Sequence, residues 1–139
     1  MASHNQLNLL NNWQKNVCEY GSIFGVLLSL ACLIQHMVVA IPNSVTNSMI
    51  PEYLLAVTAF ALLGFQKAIA PLLIIISAVY AAVVEYLWMS NYAFSLVVLL
   101  LFIYHIIIIV AVYTEQIPQK LNQIKKLKKE EEDLWAGKI

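Results

Sequence analysis

Four long apolar segments constrain this chain more than any other feature of its sequence. The second and third lie within one apolar region, 53–89, which would be ~55 Å long as a single helix and therefore too long for one membrane crossing. The polar turn Gly64-Phe65-Gln66-Lys67, followed by Pro71, divides this region in two. The sequence therefore predicts four transmembrane helices, over about 21–40, 52–66, 68–89 and 92–113.

The composition excludes a water-soluble domain. Of the 139 residues, 61% are hydrophobic and 12% are charged, whereas soluble domains have roughly 45–50% apolar and about 25% charged residues. A domain of this size leaves much of its surface exposed, so it cannot hide that much apolar surface from water. All eight basic residues are lysine, and the lack of the bidentate arginine side chain argues against nucleic-acid binding. The predicted fold is all-α, an integral membrane four-helix bundle whose first partner is the lipid bilayer.

The lysines predict the orientation of the helices. Four crossings place Lys15, Lys67 and the six lysines of 120–138 on one side of the membrane and none on the other. The positive-inside rule then places both termini on the cytoplasmic side, or on the matrix or stromal side of an organelle membrane. The predicted location is a bacterial inner membrane or an organelle membrane.

Two segments flank the predicted spans. In 1–20, apolar residues such as Leu10 and Trp13 recur at helical spacing, which indicates an interfacial amphipathic helix, with a frayed polar leader as the alternative. Segment 115–139 is predicted to be a charged cytoplasmic helix. Its lysines precede its acidic residues, an order that opposes the helix dipole, so we expect a partner or lipid headgroups to hold it. The predicted partner-binding residues are Lys125, Lys126, Lys128, Lys129, Glu130, Glu131, Glu132, Leu134 and Trp135.

Small residues at four-residue spacing mark two helix faces. Gly21, Gly25 and Ser29 share one face of the first span, and Ala78 and Ala82 share one face of the third. Such faces let two helix backbones approach closely in lipid. They predict close helix packing, either within this bundle or against another membrane subunit.

Ionisable residues at membrane depth are the candidate functional groups. His36 and Glu85 each lie about four residues from the outer end of a span, so both are expected ~6 Å below the outer boundary. They are candidates for a hydrogen-bonded pair that handles a proton or a ligand. The alternative is that each side chain reaches the headgroups separately.

His105 lies deeper, beside Tyr104 in the fourth span. A neutral imidazole hydrogen-bonded to a neighbouring helix is the expectation, and haem or quinone binding through His105 and Tyr104 is the alternative. The sequence has no spacing typical of a metal site and no Ser/His/Asp arrangement, since Asp133 is its one aspartate. We therefore predict no catalytic residues, no metal ligands and no resident cofactor.

These features favour three functions in order. The first is a non-enzymatic accessory or assembly subunit of a larger membrane complex, which docks through the small-residue faces and the C-terminal tail. The second is a small proton-coupled transporter or channel that uses Glu85 and His36. The third is a redox subunit that binds haem or quinone at His105.

Overall fold

The computed structural model describes residues 9–39, 44–91 and 95–137, and all regular structure within these ranges is helical. Three helices contain stretches long and apolar enough to cross a membrane, namely Asn12–Val38, Ala70–Leu87 and Leu96–Thr114, and a fourth contains the shorter apolar stretch Met49–Gly64. The helices of the described ranges are α1 (Asn12–Val39), α2 (Ser44–Gly64), α3 (Ala70–Asn91), α4 (Leu96–Thr114) and α5 (Ile117–Ala136).

The surface of α1 reverses the pattern of a helix in a water-soluble protein. Large apolar side chains such as Phe24 and Ile34 are each 61% exposed. The buried face instead carries small and polar residues: Gln14, Cys18, Gly21, Ser22, Gly25, Ser29, Cys32 and His36. Exposed apolar surface on this scale is unfavourable in water and favourable against lipid. Together with the three long apolar helices, it indicates a membrane protein.

The first four helices form a helical bundle in which α1 packs against α2 and α4, and α3 packs against the same two helices. The hydroxyl of Tyr104 on α4 donates a 2.6 Å hydrogen bond to the Gly21 carbonyl on α1. Nearer the other end of the bundle, Cys32 Sγ lies 3.5 Å from the Val97 carbonyl. The later residue of α1 thus contacts the earlier residue of α4, which shows that these two helices are antiparallel.

The two ends of this bundle differ in charge. One end, here called the lysine end, contains the start of α1, the loop 65–69 and the start of α5, and all described lysines lie at or beyond it. The opposite end, here called the glutamate end, contains Glu52 and Glu85. The sorting of lysines to one end agrees with the sequence pattern.

Helix α1 begins well before the predicted first span. The helix that contains the predicted span 21–40 is continuous from Asn12, without a break at Gly21. Its start is fixed by a reciprocal capping box, in which the Asn11 side chain accepts from the Gln14 amide at 2.8 Å and the Gln14 side chain accepts from the Asn11 amide at 2.9 Å. The predicted interfacial segment is thus partly the first turns of α1, and its residues 1–8 lie outside the described range.

Helix α2 also begins earlier than predicted, at Ser44 rather than at 52. Pro51, directly before the predicted start at 52, lies inside the helix with its ring on the exposed face. One lost backbone hydrogen bond is tolerated because the opposite face packs continuously through Met49, Tyr53 and Ala56, which are all fully buried.

The remaining boundaries differ from the prediction by a few residues. The predicted 68–89 is Ala70–Asn91, and the predicted 92–113 is Leu96–Thr114, with 92–94 outside the described residues. In the tail, helix α5 covers Ile117–Ala136, and residues 138–139 are not described.

The first two turns of α5 pack against the lysine end of the bundle. Ile117, Leu121 and Ile124 are buried in the core, and the Lys120 ammonium donates a 3.0 Å hydrogen bond to the Leu9 carbonyl. Beyond Ile124 most residues of α5 are exposed. The chain itself therefore holds the start of the tail, although its charged second half extends past these contacts.

The small-residue face of α1 is occupied by the chain's own helices. A Cβ at Gly25 would clash with the ring of Phe60 on α2, and one at Gly21 would lie 3.0 Å from Ile108 Cδ1 on α4. On α3, Ala82 is exposed and Ala78 is half-buried. Close packing by Gly21 and Gly25 thus takes place within the bundle.

Candidate functional site

Two carboxyl groups are buried near the glutamate end of the bundle. Glu52 of α2 is 0% exposed and Glu85 of α3 is 1% exposed. None of their four carboxyl oxygens has a hydrogen-bond partner among the described residues. Polar groups buried in this way are rare and unfavourable, because nothing replaces the water that a carboxyl group loses.

Each of the two glutamates lies on the face of its helix that packs against the neighbouring helices. Glu52 lies three residues after buried Met49 and four before buried Ala56, so helical spacing places it on the packed face of α2. Glu85 lies four residues after buried Ala81 on α3. The helices α2 and α3 that carry them pack against each other. These two buried groups are here called the carboxyl pair.

Three further titratable side chains, those of His36, Tyr53 and Cys32, are buried at the same end of the bundle as the carboxyl pair. The ring of Tyr53 lies edge-on to the ring of His36 on α1, with 5.8 Å between the ring centroids. Cys32, four residues before His36 on α1, is buried on the same helix face. The Tyr53 hydroxyl is directed toward Met49 Sδ, 4.0 Å away. Helices α1, α2 and α3 thus all contribute titratable groups to one buried site.

The structure brings His36 and Glu85 to the same end of the bundle but not into a hydrogen-bonded pair. Neither carboxyl oxygen of Glu85 accepts a hydrogen bond from the part of the chain that is described. The imidazole of His36 instead contacts the ring of Tyr53 on α2.

Glu52 is the functional candidate that the sequence reasoning missed. The predicted span 52–66 has Glu52 as its first residue, at the membrane surface, where a charged residue is common. The overlooked signal is the burial pattern of α2: Glu52 continues the stripe formed by Ala56, Ala59 and Leu63. A carboxyl group on that stripe points to the bundle interior whenever the helix extends past Pro51.

His105 lies nearer the middle of the bundle, packed against Phe60 with ring centroids 5.0 Å apart. Its Nδ1 is 2.9 Å from the Leu101 carbonyl, which can only accept, so Nδ1 carries a proton and donates it. Its Nε2 lies 2.9 Å from Ser77 Oγ on α3. A haem iron would need one of these two ring nitrogens, and in this arrangement both are engaged.

Buried polar side chains occur along the whole length of α1. Gln14 lies at the lysine end, Ser22 and Ser29 follow, and His36 lies near the glutamate end. From Gln14 to His36 the helix rises by about 33 Å, close to the ~30 Å thickness of the hydrocarbon layer. The His105–Ser77 pair adds polar groups between these ends. The interior of the bundle is therefore polar at intervals from one end to the other.

The predicted tail residues lie on the exposed part of α5. Leu134 and Trp135 are 67% and 64% exposed. The charged residues of this part are Lys125, Lys126, Lys128, Lys129, Glu130, Glu131 and Glu132, of which Glu131 is half-buried and the others are exposed.

Among the described residues, no three His, Cys, Asp or Glu side chains are arranged to hold a metal ion. Comparison of the chain with protein families, curated proteins and solved structures gives no match.

Proposed function

We propose that this protein moves protons across a membrane, as a small proton-coupled transporter or channel in which Glu52 and Glu85 form the proton-binding site. The observation that carries this proposal is the carboxyl pair, which is buried on two helices without hydrogen-bond partners. An ionisable group at membrane depth is costly, and in membrane proteins such groups commonly take part in ion or proton transfer.

The burial of both carboxyl groups at one end of the bundle supports proton binding there. Two carboxylates held in one apolar interior repel each other and lack hydrogen-bond donors, so a protonated site is favoured over a doubly charged one. His36 and Tyr53, which contact each other at the same end of the bundle, would let a proton enter from the glutamate end.

The remaining polar groups supply a route toward the lysine end. The His105–Ser77 pair and Ser29 lie between the carboxyl pair and Gln14. An imidazole with one donating and one accepting nitrogen can pass a proton by exchanging the two roles. Water entering between these groups during a conformational change would complete the route.

We further propose that α1 to α4 each cross the membrane, with the lysine end on the cytoplasmic side. Helix α2 has 21 residues and is therefore about 31 Å long, enough to span the hydrocarbon layer despite its shorter apolar stretch. The positive-inside rule supports this orientation.

Proton flux into proteoliposomes tests the proposed function. A potassium diffusion potential set by valinomycin drives protons inward, and a trapped pH-sensitive dye reports acidification. We expect flux with the parent protein and its loss with Glu85→Gln and with Glu52→Gln. Glu19→Gln is the matched control, because Glu19 is exposed on α1. Absence of flux in the parent protein, or unchanged flux in both variants, contradicts the proposal.

An accessory subunit of a larger membrane complex is the second candidate. The observation that favours it is the exposed end of α5, where Leu134 and Trp135 present apolar surface beyond the bundle. Purification in mild detergent followed by mass spectrometry should then recover a hetero-complex that the double variant Leu134→Ser/Trp135→Ser loses. Recovery of the parent chain as a lone monomer contradicts this candidate.

A further inference from the structure

A basic groove lies at the lysine end, between the loop that joins α2 to α3 and the exposed part of α5. Its volume is about 500 Å³. The loop contributes the wall 66–69, and one face of α5 contributes the other. The α5 residues in the groove are Ile124, Lys125, Lys128, Lys129 and Glu132.

The groove concentrates positive charge. Lys67 of the loop faces three lysines of α5, with Glu132 as the one acidic residue in the lining, which gives a net charge of +3. Lys125, Lys128 and Lys129 lie at spacings of three and four residues, so they share one face of the helix. Ammonium groups gathered in this way repel one another, and an anion between them relieves that repulsion.

Apolar surface adjoins these lysines. Ile124, Ala68 and Ile69 line the same groove, and the Ile69 side chain is 53% exposed. Phe65, at the start of the loop, is 74% exposed. A small inorganic anion would use only the lysines, whereas a ligand with an anionic head and a hydrocarbon body would contact both surfaces.

The position of the groove next to the ends of two apolar helices favours a lipid as this ligand. The loop 65–69 directly follows the apolar stretch Met49–Gly64 and precedes Ala70–Leu87. The groove therefore lies where two apolar helices end, which is the level of lipid headgroups around a membrane protein. Lysine clusters at this level attract anionic lipids.

We propose that this groove binds the phosphate headgroup of an anionic phospholipid, with Lys67, Lys128 and Lys129 around the phosphate and Ile69 against the lipid body. The bound lipid holds the charged half of α5 at the membrane surface. In α5 the lysines precede the acidic residues, and this order of charges is unfavourable for an isolated helix. The bound anionic lipid also reduces the repulsion between these lysines. This inference does not depend on proton transport.

Native mass spectrometry of the purified full chain in detergent tests the proposal. The protein is titrated separately with phosphatidylglycerol, phosphatidylcholine and inorganic phosphate. We expect one phosphatidylglycerol to bind at least about tenfold more tightly than phosphatidylcholine, and inorganic phosphate not to displace it at equal concentration. Lys129→Gln should weaken phosphatidylglycerol binding about fivefold, the equivalent of ~1 kcal/mol for one lysine near the membrane surface.

Lys126→Gln is the matched control, since Lys126 is exposed on α5 but does not line the groove. It should leave the affinity for phosphatidylglycerol unchanged. Equal weakening by Lys126→Gln and Lys129→Gln would show diffuse attraction rather than a site, and would overturn the proposal. Equal affinity for the two lipids, or displacement by inorganic phosphate, would overturn it as well.

Discussion

Packing between α1 and α2 depends on the absence of a side chain at Gly25. A Cβ at this position would lie within 2.7 Å of three atoms of the Phe60 ring, whereas carbon atoms pack at about 3.5–4.0 Å. In Gly25→Ala the ring must therefore move by about 1 Å. Phe60 is fully buried between Tyr104 and His105, with ring centroids 5.5 and 5.0 Å away, so this movement disturbs both neighbours.

The expected loss of stability in Gly25→Ala follows from two opposing effects. Overpacking a close-packed interior costs about 1–3 kcal/mol. Replacing glycine by alanine inside a helix gains up to about 1 kcal/mol. Packing should prevail, so we expect the free energy of unfolding to fall by about 1–2 kcal/mol. Equilibrium unfolding of the protein in mixed micelles with increasing dodecyl sulfate, followed by circular dichroism, measures this change.

Two other glycines provide controls for Gly25→Ala. Gly21→Ala places its Cβ 3.0 Å from the flexible end of Ile108, and Gly137→Ala meets its nearest atom at 3.4 Å. The loss of stability should therefore decrease from Gly25 to Gly21 to Gly137. In the double variant Gly25→Ala/Phe60→Leu, the smaller side chain should recover part of the loss, with a coupling energy of about 1 kcal/mol. Equal stability of all three glycine variants, or strict additivity in the double variant, would refute this account of the interface.

Three smaller predictions concern two polar side chains and one left-handed backbone position. Ser77→Ala leaves one buried nitrogen of His105 without its partner and should cost about 1–3 kcal/mol in the same unfolding assay, and no loss would contradict the contact. Gln14→Leu removes the side-chain half of the capping box and the 2.8 Å hydrogen bond to the Glu115 carbonyl. Exchange of the Asn11 amide should therefore accelerate, and unchanged exchange would be inconsistent with capping. Gln116 has a φ of 55°, so Gln116→Gly should stabilise the protein by up to about 1 kcal/mol, whereas a clear loss of stability would argue against the left-handed turn.

The sequence predicts the all-helical fold and the apolar segments well, because both follow from local composition. Runs of about twenty apolar residues leave little choice of structure in lipid. The boundary near Pro51 was missed for a physical reason: proline is penalised as a helix breaker in water, but packing of Met49, Tyr53 and Ala56 on the opposite face sustains the helix. The early start of α1 was missed because Asn11 and Gln14 look like ordinary polar residues until they cap each other.

The candidate site was only partly predictable. Glu85 stands out in the sequence because it follows a long apolar run, and its depth can be counted from the end of the helix. Glu52 does not stand out, because its burial depends on how far α2 extends and on which face meets α1 and α3. The burial of Glu52 and Glu85 at the same end of the bundle is a tertiary property of two packed helices, and no spacing in the sequence encodes it.

Chemical labelling of the carboxyl pair tests the central claim most directly. A membrane-soluble carbodiimide reacts with protonated carboxyl groups in apolar surroundings, and peptide mass spectrometry identifies the modified residues. We expect adducts on Glu52 and Glu85 of the protein in lipid vesicles, and loss of proton flux in the labelled protein. Glu130, which is exposed on α5 beyond the bundle, should remain unmodified under the same conditions. Labelling of Glu130 with neither Glu52 nor Glu85 modified would contradict a buried carboxyl pair that binds protons.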